Sequence, residues 1–313
     1  MYKILFFGTS EFAVPSLEAF IHDARFQILG VVTQPDRPVG RHAQMTPSAV
    51  KRFVVGAQRA APLQDVPIKQ PEKLQDEPFA SWIREIGQTC DAFVVVSYGK
   101  ILPQWLLDLP KHGVVNVHPS LLPRWRGTSP IHAAIAAGDA VTGVTIMKMD
   151  ALMDHGPILA QQEETIRPDD TGKSLHDRLA ELGAQILPET LSSYVAGNLE
   201  PTEQDHAQAT HCTLLTRDDG RLDFTKTATE LERLIRAYDP WPGTWMEYDG
   251  KRLKILAAHV GSRNMTKQPG EQFVYDGVPS ITCANGTTLV IERMQLEGAD
   301  AMNGVEFLRG HIW

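Results

Sequence analysis

The chain has 313 residues, 42% hydrophobic and 22% charged, which predicts two globular domains with cores large enough to need no staples. A formal net charge of −8 counts against indiscriminate nucleic-acid binding, although a local basic groove can sit on an acidic protein. Cys90, Cys212 and Cys283 are too scattered for a disulfide framework or a Cys-rich zinc site, the start is too short for a signal peptide, and no run reaches the roughly 18 apolar residues of a membrane helix, so a cytoplasmic protein is expected.

Along the first half, strand-like and helix-like patterns alternate. Lys3–Phe7 is a short apolar run ending at Gly8. Pro15 suits the first turn of a helix whose apolar stripe is Leu17, Phe20 and Ile21. Ile28–Val32 reads as a buried strand, and Pro47 to about Gln58 and Phe79–Ile86 read as helices. Ala92–Val96 is uninterrupted and apolar, as in a central parallel strand. Gly113–Val117 is a further strand, Pro130–Ala137 a helix, Val144–Met149 and Ile158–Gln162 later strands, and Ser174–Val195 a long amphipathic helix. This alternation predicts a doubly wound, mostly parallel α/β domain over residues 1–197. Polar residues 198–211 read as a linker. Residues 212–313 then carry a helix at Ala228–Tyr238 and short strands at Lys254–Val260, Gln272–Val274, Pro279–Cys283 and Thr288–Met294, which suggests a small OB-like β-barrel.

The first turn reads Gly8-Thr9-Ser10-Glu11-Phe12-Ala13 and lacks the second and third glycines of a dinucleotide fingerprint. The site is therefore expected at the carboxyl ends of the inner strands, where open α/β sheets bind ligands. There Asn116 and His118, two apart on a strand, project on one face, and Pro119 ends the strand and holds His118 extended. Met153-Asp154-His155-Gly156 reads as a sharp loop. On pattern alone, a turn-capping Asn, a surface His and an ordinary turn Asp remain open readings. Together, however, an amide, an imidazole and a carboxylate suit acyl transfer to an amine: the Asn donates to a developing oxyanion, the His polarises, and the Asp orients and accepts. The amine is its own nucleophile, so no Ser or Cys is required. The eleven histidines show no metal-ligand spacing, and no metal is expected.

Asn116-Val117-His118, the loop from Ser120 to Gly127 and Asp154-His155-Gly156 resemble the signature of folate-dependent formyltransferases. The opening Phe6–Ala13, Thr33–Arg41, Ser97–Pro103 and Asp239–Gly243 extend the resemblance over nearly the whole chain, toward the branch acting on charged initiator methionyl-tRNA. The resemblance implies 10-formyltetrahydrofolate as donor, with the formyl carbon among Asn116, His118 and Asp154. It implies that Ser120, Leu121, Leu122 and Pro123 contact the folate, that Ser97, Tyr98 and Gly99 help form the pterin pocket, and that Arg41 meets the tRNA acceptor end. His42-Ala43-Gln44 stands where lysines are common in the family, which weakens phosphate contacts expected of that loop. It further implies a C-terminal tRNA-binding module and a monomer. From Ala207 to Trp313 the chain has 12 basic and 14 acidic residues, so a one-sided basic face, drawing on Arg217, Arg221, Arg233, Arg236 and Arg252 among others, competes with a solvated rim. Trp241 and Trp245 are expected in the core.

Rival readings are a formyltransferase acting on a nucleotide-sugar amine, a one-domain enzyme acting on a small ribonucleotide amine, a deformylase, and a non-catalytic RNA-binding protein. The C-terminal domain argues against the second. A deformylase typically carries a domain ahead of the α/β one, and none is expected before Lys3. The Asn-His-Asp set argues against the last.

Overall fold

The computed structural model describes residues 1–40, 43–57, 63 and 65–313. The expectations for Arg41 and for Gln58 at the end of its helix lie outside the described residues. Internal contacts divide the chain into two compact units. One comprises Met1–Gly127, Thr142–Glu164 and His176–His211; the other comprises Thr128–Val141, Thr165–Leu175 and Cys212–Trp313.

In the first unit the strands are β1 (Tyr2–Gly8), β2 (Phe26–Val32), β3 (Arg37–Val39), β4 (Gln44–Thr46), β5 (Ile68–Lys69), β6 (Ala92–Val96), β7 (Val114–His118), β8 (Arg126–Gly127), β9 (Val141–Lys148) and β10 (Ile158–Thr165), the last two reaching one residue beyond it. Seven of them form one sheet in the order β10-β9-β7-β6-β1-β2-β5. Ile4, Leu5, Phe6 and Phe7 of β1 have no solvent exposure. Burying a side chain of this size contributes roughly 1.5–3 kcal/mol, which explains the unbroken apolar run. β1 pairs in parallel with β2 and β6, and β6 with β7, whereas β9 runs antiparallel to β7. β3 and β4 pair antiparallel with each other, apart from that sheet.

Gly8, at the end of β1, has no room for a side chain. A Cβ there would sit 2.8 Å from that of Ala13 and 2.6 Å from the Phe6 ring. That close approach lets the chain turn directly into α1 (Val14–Ile21), with Pro15 in its first turn. Helices α2 (Ala49–Ala57), α3 (Phe79–Gly87) and α4 (Gln104–Leu107) follow; α5 (Pro130–Ala137) belongs to the second unit, and α6 (Gly172–Val195) begins in the second unit and continues in the first. α3 buries Phe79, Ala80 and Ile83, and Phe79 and Ile83 share a core with Phe93 and Leu106.

The second unit holds α7 (Ala228–Ala237), α8 (Gly304–Leu308) and an antiparallel sheet in the order β12-β13-β16-β15-β14. After β11 (His211–Cys212), which pairs with β8, these strands are β12 (Thr244–Tyr248), β13 (Lys251–Val260), β14 (Gln272–Tyr275), β15 (Val278–Thr282) and β16 (Thr288–Leu296). β17 (Met302–Asn303) pairs with β16. Strands β12 and β14 are the two ends of the path. α7 begins with a reciprocal capping box between Thr227 and Glu230 and buries Leu231 and Ile235 against Leu253, Ile281 and Ile291. The core placement expected for Trp241 is overturned: it is 48% exposed, because it lies in the Pro-bracketed turn between α7 and β12. Trp245 is half-buried on β12, with the Arg252 guanidinium 3.9 Å and that of Arg221 5.8 Å from its ring centre. Arg233 and Arg236 are engaged within the unit, on Ala137 O and on Glu232 with Asp170 O. Glu232 thus neutralises Arg236, whereas Arg233, on a neutral carbonyl, keeps its charge.

Candidate active site

The strand order reverses between β1 and β6, and the carboxyl ends of β1, β6 and β7 lie side by side: Gly8 faces Val96, and Val95 faces Asn116. The turns leaving the first two strands are tied together. Thr9 Oγ1 and Gln34 Nε2 donate to Tyr98 O at 2.8 and 3.1 Å, and Ser10 Oγ donates to Ser97 Oγ at 2.7 Å. Ser97 has a positive φ of 46° and Gly99 one of 84°, so the chain reverses sharply after β6. Tyr98 is only 2% exposed. Its ring packs edge-on against Phe7, its hydroxyl has no partner among the described residues, and burial pushes its pKa upward. At the turn, therefore, it is the Tyr98 carbonyl that accepts hydrogen bonds, while the phenol lies in the core.

On β7, Asn116 is half-buried and no hydrogen bond from a described residue engages its side chain. His118, two residues on and 4% exposed, has its ring fixed at both nitrogens. Nε2 donates to Trp125 O at 2.9 Å, and Nδ1 lies 3.5 Å from Asp154 Oδ1, an ion-pair approach longer than a good hydrogen bond. The other carboxylate oxygen of Asp154 accepts the Gly127 N–H at 2.8 Å. Asp154 has a φ of 49°, in the left-handed region that Asp, like Asn, tolerates in sharp turns. Both ring nitrogens of His118 thus face oxygen atoms, one at hydrogen-bond distance and one at 3.5 Å.

The loop after β7 is internally braced. Ser120 is fully buried and its hydroxyl donates to Arg124 O at 2.6 Å. Thr145 Oγ1 donates to Ser120 O and accepts from Leu122 N, while Gln161 Nε2 donates to Leu122 O. With Leu122 3% exposed, the half-exposed members of the predicted folate loop are Leu121 and Pro123.

Sequence reasoning missed the groups that hold this arrangement. Thr210 accepts the Trp125 N–H on its hydroxyl and the Arg126 N–H on its carbonyl. Gln204, 4% exposed, joins Arg126 to the Asp154 loop. Both belong to the segment read as a linker. No signal in the sequence marked them: the burial of Arg126 to 5% exposure, which requires partners, shows only in the fold. Among the described residues no group of three His, Cys, Asp or Glu could hold a metal ion, and no helix is long and apolar enough to cross a membrane.

Comparison with known proteins gives the family. A family model described as formyl transferase matches residues 2–191, and one described as formyl transferase, C-terminal domain, matches residues 214–312. The methionyl-tRNA formyltransferase of Acidobacterium capsulatum is 41% identical over 99% of this chain and 96% of its own length. That of Myxococcus xanthus is 43% identical over 99% and 95%. The crystal structure of an N-formyltransferase from Helicobacter canadensis, in complex with folinic acid and dTDP-3-aminofucose, superposes with a TM-score of 0.67 over 93% of this chain and 99% of that one. At 16% identity this is a likeness of fold alone.

Proposed function

The chain belongs to the formyl transferase family, and from that premise we infer that it moves a formyl group from 10-formyltetrahydrofolate to the α-amino group of methionine on charged initiator tRNA, for translation initiation. The observation that carries this reading is 41–43% identity, end to end, with methionyl-tRNA formyltransferases.

The folate supplies an activated formyl carbon, and the residues present suit it: an amide donor, an imidazole and a carboxylate, with the attacking amine as nucleophile. Asn116 donates to the carbonyl oxygen as it gains negative charge. A donor of this kind is typically worth 10²–10³ in rate. His118, oriented by Trp125 O and Asp154, stabilises the same tetrahedral intermediate and assists departure of the folate nitrogen. Asp154 takes a proton from the attacking amine, through water. Leu121 and Pro123 contact the folate, with Ser120 and Leu122 shaping their loop, and the turn Ser97-Tyr98-Gly99 walls the pterin pocket. Arg41 contacts the acceptor end of the tRNA.

The domains are taken as 1–197 for catalysis, 198–211 as the connection and 212–313 as an OB-like tRNA-binding module. Antiparallel strands with α7 packed on them support that last assignment. The protein acts as a cytoplasmic monomer. Incubation with 10-formyltetrahydrofolate and charged initiator tRNA, beside parallel reactions with a nucleotide-sugar amine and with water alone, tests the reading. Formyl-methionine on tRNA is the expected product; formyl only on the sugar amine, or only free formate, overturns it.

A further inference from the structure

Gln204 uses its whole hydrogen-bonding capacity on two carbonyls of one loop and one buried cation. Its Oε1 accepts from Arg126 Nε at 3.1 Å and from Arg126 Nη2 at 2.7 Å. Its Nε2 donates to Asp154 O at 3.0 Å and to Gly156 O at 2.7 Å. An amide offers two acceptor lone pairs and two N–H donors, so none is left over. The orientation is unambiguous, because a guanidinium only donates and a carbonyl only accepts.

The strand end that carries Arg126 is also part of the site. Gly127 N–H binds the Asp154 carboxylate, and Trp125 O binds His118. A second brace runs beside the first. Arg126 Nη2 donates to His206 Nδ1 at 2.8 Å, the His206 ring stacks on that of His155 at 4.0 Å, and His155 Nδ1 bonds Asp150 Oδ2 at 2.6 Å. Asp154 sits between these braces, in a sharp turn with a φ of 49°.

We propose that Gln204 is a positioning residue for Asp154: by clamping the carbonyls of residues 154 and 156 to Arg126, it fixes the carboxylate at its 3.5 Å approach to His118. The proposal rests on the reading of Asp154 as proton acceptor. Gln204 touches neither substrate, so its loss acts on turnover and leaves binding in place.

The test is steady-state formyl transfer by full-length Gln204→Leu and Gln204→Glu, with pH–rate profiles and amide hydrogen exchange. Gln204→Glu is isosteric and keeps the acceptor for Arg126, but it turns an oxygen toward two carbonyl oxygens. Both variants are expected to lose on the order of 10² in kcat, the usual cost of misplacing a catalytic group by about 1 Å. KM for folate and for tRNA should stay within about threefold, the pH–rate profile should shift, and residues 150–156 should exchange faster than the same residues of the wild type. A folded variant with wild-type kcat and an unmoved pH profile overturns the proposal. If Gln204→Leu does not fold, Gln204→Glu decides by the same readings. Asp154→Asn, assayed alongside, separates the two claims. Wild-type turnover there removes the role of Asp154 and the positioning role with it. A large loss there with Gln204 variants unaffected removes the positioning role alone.

Discussion

Gly156→Ala exposes how tightly the Asp154 loop is placed. Gly156 is buried, and an added Cβ would lie 2.0 Å from the backbone oxygen of Lys148 at the end of β9 and 3.3 Å from the nitrogen of Asp150. A carbon–oxygen contact needs roughly 3.3 Å, so the loop or the strand end must give way by about 1.3 Å. The strand is held by the sheet, and Lys148 N–H is bonded to Pro157 O, so the loop moves. Asp154 is two residues away, and its carboxylate stands 3.5 Å from His118. Misplacing a catalytic group by about 1 Å costs on the order of 10² in rate, which is about 2.7 kcal/mol of transition-state stabilisation. Overpacking of this kind destabilises a fold by about 1–3 kcal/mol, leaving the protein folded at room temperature. The assay is kcat for formyl transfer at saturating folate and methionyl-tRNA, with Gly310→Ala, where the methyl meets open space, as control. Wild-type kcat in a folded Gly156→Ala would refute the claim that the loop's position matters to turnover.

Asn116→Ala should lower kcat by about 10²–10³ with the fold intact, and turnover within twofold of wild type would remove its role as oxyanion donor. Arg41→Ala is expected to raise KM for methionyl-tRNA and leave folate binding unchanged; an equal loss of folate binding would place Arg41 elsewhere. Burial pushes the thiols of Cys90 and Cys283 up to about 12, so a thiol reagent at pH 8 should modify Cys212 well before either, and equal rates at all three would contradict the packing. The folded state keeps those two protons longer than the unfolded chain does. Stability should therefore fall as pH rises from about 9 toward 12, and a melting temperature flat across that window would oppose this.

Much of the catalytic unit was legible because burial imposes a pattern. An uninterrupted Ala92–Val96 can only be a strand covered on both faces, and Pro15 and Pro130 mark helix starts because a first turn has no use for their missing N–H groups. Strand direction left no such trace: the antiparallel course of β9 depends on how the chain returns, not on its residues. Thr244–Tyr248 was missed as a strand because it follows Trp241-Pro242-Gly243 directly and reads as part of the turn. In the candidate site, Asn116 and His118 were visible through strand spacing, and Asp154 through its turn and the resemblance. Gln204 was hidden because a glutamine in a polar, aperiodic stretch carries no sign that its amide is buried and saturated. Ser120 and Leu122 were read by their place in a loop, whereas their side chains turn inward to brace it.

Formyl transfer at this site requires a carboxylate to accept the proton of the attacking amine, and Asp154→Asn tests that with the least change in shape. In single-turnover transfer from 10-formyltetrahydrofolate to methionyl-tRNA, with tRNA binding verified, the rate should fall by about 10²–10⁴, the usual contribution of a general base. A single-turnover rate within twofold of wild type would contradict it.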